Sequence, residues 1–389
     1  MLQSVNLEGR DNLKILKSLL ICLPAILLGL LFTFFGKNVN DELALYAKGS
    51  ATLFLVALFF LIIHTGKTYY YRRIFFVTVA VSLPIGFITH LLATRGSMAI
   101  NLAQIIECKA PFCHLVIPML VIPWAFAKTI IFPGSLDPYS FANIPQMIIL
   151  WLCATLAMGR GWCGWVCFYG GWDELFSSLA KSPKIPSIPE KWRYLPYAVL
   201  TTVVLVSAAT LSPTYCEWLC PFKTVTEFVA VVSWVGVLKT AIFLSLFFGL
   251  VIIFPLLTKK RTQCSFLCPF GVVQSASNSL NVTSIRIDTD VCVKCGLCKK
   301  VCPLFAINEE SLAEGKTLIN CAKCGACVDA CPKNAIRYYI AGTGKGSNPE
   351  VSRILAIYPP FIFALAIGGG IIGNGLYVIL KFISTGSVL

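Results

Sequence analysis

Continuous apolar runs recur along this chain, and they constrain its fold more than any other feature. A membrane-spanning helix needs roughly 20 mostly apolar residues to cross about 30 Å of hydrocarbon. Runs that reach or approach this length lie at about 15–35, 50–66, 74–93, 145–160, 196–212, 236–257 and 354–380. Because the runs are continuous rather than alternating, helices are favoured over the strands of a closed barrel. The sequence therefore predicts a polytopic α-helical protein surrounded by membrane lipid.

The composition excludes the common soluble classes of protein. Of the 389 residues, 57% are hydrophobic and 13% are charged, whereas soluble chains average about 45–50% and about 25%. An ordinary cytosolic enzyme, a disordered regulator and a DNA-binding protein are thereby excluded. The net charge of +14 is not concentrated in a soluble basic domain with interleaved aromatic residues, so no nucleic-acid partner is expected. Glu8, Asp11 and a long apolar run argue against a cleavable signal peptide at the N-terminus.

The distribution of basic residues predicts the topology. Lys and Arg concentrate in cytoplasmic loops of membrane proteins, and 24 of the 32 basic residues here lie in segments 1–19, 67–73, 160–195 and 258–353. These segments share one side only if the proline-rich stretch 98–132 makes no net crossing, so we expect a re-entrant or outer-surface element there. The predicted divisions are N-terminal transmembrane helices (1–97), that element (98–132), a transmembrane core (133–283), a polar segment (284–347) and a C-terminal transmembrane helix (348–389).

The polar segment carries one cysteine motif twice. Cys292-Val-Lys-Cys295-Gly-Leu-Cys298-Lys-Lys-Val-Cys302-Pro303 is followed by Cys321-Ala-Lys-Cys324-Gly-Ala-Cys327-Val-Asp-Ala-Cys331-Pro332. In two-cluster ferredoxins the fourth cysteine of each such run ligates the other cluster. Two [4Fe–4S] clusters are therefore predicted, one held by Cys292, Cys295, Cys298 and Cys331 and the other by Cys302, Cys321, Cys324 and Cys327, with Gly296 and Gly325 permitting the tight turns.

The alternatives for this segment are a zinc site and a disulfide framework. Zinc sites pair two C-x2-C knuckles without a third cysteine and C-P, and disulfides are rare on a cytoplasmic face. The segment resembles bacterial-type two-cluster ferredoxins, which implies a small α+β ferredoxin-like domain inserted between the last two membrane spans.

Eight of the ten remaining cysteines form pairs. Three copies share the pattern C-x-aromatic-aliphatic-C, at Cys163/Cys167, Cys216/Cys220 and Cys264/Cys268, and a further pair is Cys108/Cys113. Residues four apart face the same way on a helix, so each copy is expected to present two sulfurs to one point. The predicted topology places the first and third copies at the cytoplasmic face and the second copy outside.

Two further clusters are possible from these pairs. Cys163, Cys167, Cys264 and Cys268 supply the four ligands of one cubane at the inner face, with free buried thiols as the alternative. Cys108, Cys113, Cys216 and Cys220 supply four at the outer face, where disulfides remain an alternative because that compartment is oxidising. Cys22 and Cys153 are isolated in apolar runs and are interpreted as packing residues.

Histidines do not support a haem. His64 and His90 lie in adjacent apolar runs, but two lone histidines without a second pair make a haem site unlikely, and a lone histidine in a span is usually an interior polar residue. His114, beside Cys113, has no role assigned from the sequence.

The combination of membrane helices, C-x3-C motifs and a ferredoxin-like segment resembles the NapH/NosR/CcoG-type membrane polyferredoxins. Gly159-Arg160-Gly161-Trp162-Cys163-Gly164-Trp165-Val166-Cys167 is similar to that family's first motif, and Cys264 to Pro269 is similar to its second. The chain departs from the family in having Phe168 where proline is usual, in the two extra pairs, and in having no large flavin-binding domain of the NosR sort.

The resemblance implies membrane-bound electron transfer, often from quinol. We expect a chain that is integral to a prokaryotic cytoplasmic membrane. It would relay electrons between a membrane or transmembrane route and a soluble redox protein. A quinone is the expected partner on the membrane side, and the soluble protein could be an acidic carrier or a partner subunit. It could then be a component of a quinol dehydrogenase. A redox biogenesis factor that reduces a metal or thiol is the alternative, and a redox sensor is disfavoured because no output domain is recognisable.

Overall fold

The structure is a computed structural model, and it describes residues 2–34, 41–93, 117–119, 122, 144–185, 188–210, 212–226, 233–343 and 348–387. Most of these residues are helical. The elements before the polar segment are α1 (Leu2–Phe34), α2 (Glu42–Thr65), α3 (Thr68–Ala93), α4 (Ile144–Met158), α5 (Gly161–Trp165), α6 (Phe168–Leu179), a 3₁₀ turn (Glu190–Tyr194), α7 (Leu195–Thr210), a π-helical turn (Tyr215–Leu219), α8 (Lys223–Thr226), α9 (Trp234–Thr258), α10 (Thr262–Phe266) and α11 (Pro269–Ser277).

Within the described residues, five helical segments are long and apolar enough to cross a membrane. They are Asn12–Phe32, Glu42–Thr65, Lys191–Thr210, Trp234–Thr258 and Pro349–Thr385. They contain or largely overlap five of the predicted apolar runs. The runs at 74–93 and 145–160 are also helical, within α3 and α4, but the described residues of these helices do not meet the same length and hydropathy criteria. The expected element at 98–132 lies almost wholly outside the described residues.

The long C-terminal helix α15 (Pro349–Thr385) packs against α2 and α3. Phe59 of α2 stacks on Phe361 of α15 with ring centroids 3.9 Å apart, and it meets Tyr358 edge to face at 5.2 Å. Side-chain packing of this kind associates helices in lipid, where the hydrophobic effect gives no drive. These helices form one side of the bundle, and the first turns of α3 point Arg72 into the interior.

The polar segment begins and ends with paired strands. β1 (Thr283–Ile287) and β2 (Ile336–Ile340) form a two-stranded antiparallel sheet in which Ile285 lies opposite Tyr338. Between them lie three short helices, α12 (Leu297–Val301), α13 (Glu309–Glu314) and α14 (Ala326–Asp329). The alternation of buried Thr283, Ile285 and Ile287 with more exposed neighbours gives β1 one packed face.

The chain folds back on itself after α9. Lys259 adopts a left-handed conformation at the end of the helix, and Thr262 Oγ1 then donates a hydrogen bond to the Leu250 carbonyl at 2.6 Å. Arg261 N donates to the Pro303 carbonyl at 2.9 Å. The turn therefore lays α10, with Cys264, alongside α9 and against the polar segment.

Candidate iron–sulfur sites

The four cysteines predicted to hold one ferredoxin-type cluster line a single cavity. They are Cys292, Cys295, Cys298 and Cys331. Gly296 has a φ of 73° and turns the chain into α12, as the sequence predicts for this tight turn. The Ala335 amide donates to Cys331 Sγ at 3.3 Å. We call this cavity the distal site, because its Cys295 is exposed to solvent.

The other predicted set of four cysteines lines a second cavity. It consists of Cys302, Cys321, Cys324 and Cys327, all of them buried. Gly325, with a φ of 85°, turns the chain into α14, and the Ala306 amide donates to Cys302 Sγ at 3.2 Å. We call this cavity the middle site.

The fourth cysteine of each motif lines the cavity formed by the other motif. Cys302 leaves the C-terminal end of α12 and reaches the middle site, and Cys331 follows α14 and reaches the distal site. α12 and α14 pack against each other, which brings each helix end to the opposite cavity. The structure thus gathers the cysteines in the two groups that the motif spacing predicts, and amide groups directed at sulfur suit thiolate ligands.

The three C-x3-C copies share a local backbone, but it is not a continuous helix. In the first copy α5 ends at Trp165, and Cys167 is the extended residue before α6, with φ −67° and ψ 104°. Cys268 before α11 and Cys220 after the π-helical turn have nearly the same angles. The expectation that both cysteines lie on one helix is wrong, because the chain leaves the helix between them and the second cysteine begins the next segment.

The first and third copies come together in the interior, as predicted. All four of their cysteines are buried, at 8% exposure or less. Burial raises the pKa of the Cys167 thiol, and the neighbouring Cys163 and Cys268 raise it further. Burial likewise raises the pKa of Cys268 to about 12, with Cys163 adding to the effect. We call this group of Cys163, Cys167, Cys264 and Cys268 the inner site.

The inner site is surrounded by buried charges. Arg72, Asp173, Glu174 and Arg261 are 0% exposed and Arg160 is 5% exposed. Glu174 accepts a hydrogen bond from Arg72 at 2.9 Å and lies 3.8 Å from Arg261. Asp173 Oδ2 accepts from the Cys264 amide at 2.9 Å, and burial raises the pKa of this carboxyl to about 7. Arg72 and Arg261 oppose the burial of Glu174 and hold its pKa below the usual range.

This environment fits an anionic iron–sulfur cluster. Buried guanidinium groups normally have an opposite charge or hydrogen-bond acceptors around them. Among the described residues, the Nε atoms of Arg72, Arg160 and Arg261 and Nη1 of Arg261 have no hydrogen-bond partner. Four cysteine thiolates on iron would place net negative charge beside these cations. Four free thiols would leave the excess positive charge uncompensated.

The inner and middle sites are in direct packing contact. Trp165 Nε1 donates to the Lys323 carbonyl at 3.3 Å, and Arg72 Nη1 donates to the Gly164 carbonyl. Gly164 itself lies against the Ala322 carbonyl, so closely that a Cβ there would overlap it. Burial raises the pKa of Cys324 in the middle site to about 12, and Arg72 partly opposes this. Arg72 therefore faces both cysteine groups.

We expect Gly164→Ala to weaken this contact. The added methyl would meet the Ala322 backbone, which cannot rotate away as a side chain can, and overpacking of this kind costs about 1–3 kcal/mol. Gly249→Ala is the matched control, because a Cβ at Gly249 meets nothing within 4 Å. Denaturant unfolding of the purified protein in detergent measures both. Equal stability of the two variants would contradict the tight contact.

The second copy lies beside the inner site rather than far from it. The Tyr215 hydroxyl accepts a hydrogen bond from Gln263 Nε2 at 3.2 Å, so these two side chains join the residues before Cys216 and Cys264. Phe222, just after Cys220, packs on Tyr169 with ring centroids 4.3 Å apart. The Tyr215 amide donates to Met119 Sδ at 3.4 Å. Cys108 and Cys113 lie outside the described residues, so the predicted outer group is seen only through Cys216 and Cys220.

Of the other residues singled out in the sequence, Cys22, Cys153 and His64 are described, and they belong to none of these sites. Cys22 is buried in α1 and Cys153 is exposed on α4. The His64 ring stacks on Phe60 with centroids 5.5 Å apart. The side chain of His90 and the whole of His114 lie outside what the structure describes.

The sequence alone assigns no role to the three arginines around the inner site, Arg72, Arg160 and Arg261. The missed signal is an arginine three residues before the first cysteine, Arg160 in the first copy and Arg261 in the third. Arg72 carries no local signal, because it reaches the site from α3 through the fold.

Two protein-family models match the chain. A 4Fe-4S dicluster domain matches residues 284–332, the segment with the distal and middle sites. A 4Fe-4S binding domain matches three times, at 144–186, 192–237 and 240–284. Each of these three matches contains one C-x3-C copy. The matches support [4Fe–4S] binding by this chain, in the ferredoxin-like segment and in the helical part.

Similar proteins include one that is named as a ferredoxin-type protein. An uncharacterized protein of Methanocaldococcus jannaschii is 29% identical over 171 residues, 42% of this chain and 58% of that protein. Ferredoxin-type protein NapH of Escherichia coli is 28% identical over 160 residues, 40% of this chain and 52% of NapH. Regulatory protein NosR of Pseudomonas aeruginosa is 25% identical over 186 residues, 45% of this chain and 25% of NosR.

The matched part of this chain spans at most 58% of the length of these three relatives. No solved structure matches the chain. The matches confirm the predicted resemblance to NapH/NosR-type polyferredoxins, and five apolar helices agree with a membrane protein of this type.

Proposed function

We propose that this chain, which resembles the NapH/NosR-type ferredoxin proteins, is a membrane-integral protein that relays single electrons between a membrane route and a soluble redox partner. The observation that carries the proposal is the row of three four-cysteine groups. The distal site shares the α12–α14 pair with the middle site, and the middle site packs on the inner site through Gly164 and Trp165. Neighbouring redox sites in this order make a continuous route.

Each group would hold one [4Fe–4S] cluster in this proposal. The ligands would be Cys292, Cys295, Cys298 and Cys331 at the distal site, Cys302, Cys321, Cys324 and Cys327 at the middle site, and Cys163, Cys167, Cys264 and Cys268 at the inner site. A bound cluster supplies one-electron chemistry over a wide range of potentials. The protein supplies the thiolates, excludes water from the inner and middle sites, and balances their charge with buried arginines.

A fourth cluster would extend the route. Cys216 and Cys220 would hold it together with Cys108 and Cys113, and a pair of disulfides is the competing arrangement. Met119, six residues after Cys113, packs on the Tyr215 backbone and so favours proximity of the two pairs. The Tyr215–Gln263 hydrogen bond supports a position of Cys216 and Cys220 beside the inner site.

The membrane end of the route would be linked to a quinone, and the distal end to a soluble carrier on the cytoplasmic side. The family resemblance supports the quinone link, and the concentration of basic residues in 258–353 supports the cytoplasmic location. Exposed Cys295 makes the distal site the place where a soluble protein can approach closely.

Iron quantitation with an EPR redox titration tests the proposal. We expect about 12 iron atoms per chain from three clusters, or about 16 with the fourth. We also expect a quinol, added without oxygen, to reduce at least one of the clusters that the EPR titration detects. About 8 iron atoms would limit the clusters to the ferredoxin-like segment. Failure of ubiquinol and menaquinol analogues to reduce any cluster would remove the quinone link and leave the relay itself standing.

A further inference from the structure

We propose that Arg160 and Arg261 form a reciprocal cationic clamp, which joins the two halves of the inner site and raises the reduction potential of the cluster bound there. The inference rests on the proposed inner cluster. It assigns a role to two arginine side chains that are not themselves cluster ligands.

The first and third cysteine copies are longer repeats than their cysteines suggest. Both read R-x2-C-x3-C-x2-G, from Arg160 to Gly170 and from Arg261 to Gly271. The second copy has Pro213 and Lys223 at the arginine and glycine positions. The arginine and the glycine therefore accompany the two copies that meet at the inner site, and they are missing from the copy that does not belong to it.

Each arginine reaches across to the other copy. Arg261 Nη2 donates to the Cys163 carbonyl at 2.8 Å, and Arg160 Nη2 lies 3.5 Å from the Cys264 carbonyl. These are equivalent atoms, the carbonyl of the first cysteine in each repeat. Arg160 also donates to the Ser275 hydroxyl of α11. The exchange links α5 to α10 in both directions.

The glycine of each repeat makes room for the arginine of the other. A Cβ at Gly170 would overlap the guanidinium of Arg261, and one at Gly271 would lie 3.3 Å from Arg160 Nη2. The contact between the two copies therefore uses the arginine and the glycine of both repeats, in an approximately two-fold arrangement. An arginine that played no part in joining the copies would not need a glycine in the other copy to leave space for it.

The clamp places positive charge against sulfur. Arg261 Nη2 lies 3.3 Å from Cys264 Sγ and donates to the carbonyl of Cys163. Reduction adds one negative charge to a cluster held by these sulfurs. Fixed cations in a water-excluded interior stabilise that added charge more than they would in solvent, so they favour the reduced state.

Acidic residues hold the two arginines in place, and their negative charges oppose the effect of the arginines on the reduction potential. Glu174 is 3.8 Å from Arg261 and is shared with Arg72, while Asp173 caps the Cys264 amide. Removing the Glu174 charge should therefore act on the cluster in the opposite sense to removing the Arg261 charge. A purely structural role would not produce this reversal of sign.

Redox titration of the inner-cluster EPR signal in the full-length protein tests the clamp. We expect Arg261→Met to lower the potential enough for at least a tenfold change in the electron-transfer equilibrium, about 59 mV for one electron. Arg160→Met should also lower the potential. Arg261→Lys keeps the positive charge, so its potential should stay close to that of the unmodified protein. Glu174→Gln should raise the potential. Arg286→Met is the control, because Arg286 is exposed and lies on the Tyr339 ring at 3.6 Å.

The outcomes separate the clamp from the cluster itself. Absence of an inner signal from the unmodified protein would refute the proposed cluster. An inner signal whose potential does not move in Arg261→Met and Arg160→Met, or moves the same way in Glu174→Gln, would overturn the clamp alone. If Arg261→Met binds no inner cluster while Arg261→Lys does, the joining role is supported, and Glu174→Gln still measures the effect on potential.

Discussion

Replacing Cys264 by serine is expected to remove about four iron atoms per chain and to abolish one EPR signal. Cys264 is buried at the inner site, with its amide held by Asp173 and its sulfur beside Arg261. A serine hydroxyl is a much poorer ligand for iron than a thiolate, so the site should lose its whole cluster. Iron quantitation of the purified variant measures the loss.

Cys153→Ser is the matched control for this experiment. Cys153 lies on α4 shortly before the first cysteine copy, but it is exposed and belongs to none of the cysteine groups. Its variant should keep the iron content and all EPR signals of the unmodified protein. Unchanged iron in Cys264→Ser would eliminate the inner cluster, and equal losses in both variants would point to general instability instead.

The loss should also be local to the inner site. The distal and middle cavities are lined by cysteines of the segment 292–331, and none of those residues changes in this variant. The two ferredoxin-type signals should therefore remain, while electron transfer from the membrane to them should fail. A variant that loses every signal would show that the inner site is needed for folding of the neighbouring segment.

The sequence predicts the ferredoxin-like cysteine groups well because their spacing is a local geometric code. Once Gly296 and Gly325 adopt positive φ, three cysteines of each motif surround one cavity, and the helix after them carries the fourth to the other cavity. Continuous apolar runs likewise predict most spans, since length and hydropathy decide whether a helix can cross a membrane.

The parts that the sequence does not predict depend on contacts between distant segments. Arg72 reaches the inner site from α3, and the fold-back after Lys259 brings Thr262 level with Leu250. This fold-back places Gln263 against Tyr215, so the second cysteine copy approaches the inner site more closely than a location at the opposite membrane face suggests. No local sequence pattern indicates how far the segment between two helices folds back into the protein.

The distal site offers a surface suited to an acidic carrier protein. Val291, Val293, Leu297 and Val301 are 38–58% exposed around Cys295. Exposed Lys294 and Lys333 line the cavity, and Lys300 lies on α12 beside it. Among the described residues these three lysines make no ion pair, whereas Lys299 is paired with Glu309 at 2.9 Å. Unpaired cations around an apolar patch favour a negatively charged partner.

Charge reversal at these lysines should slow electron exchange with such a partner. For the triple variant K294E/K300E/K333E we expect the second-order rate with a reduced, acidic plant-type ferredoxin to fall at least about tenfold at low salt, because electrostatic steering changes on-rates by about 10–10³. Stopped-flow spectroscopy at several ionic strengths measures the rate. The difference should nearly vanish at about 1 M salt, where the Debye length is about 3 Å.

The control triple K184E/K191E/K316E changes the net charge by the same amount at exposed lysines away from the distal cavity. It should keep nearly the original rate, and both triples should keep the full set of EPR signals. If the two triples slow the reaction equally, net charge rather than this surface controls the encounter. If neither slows it, the carrier docks elsewhere and the proposed relay must exchange electrons through another face, although its clusters and their order would be unaffected.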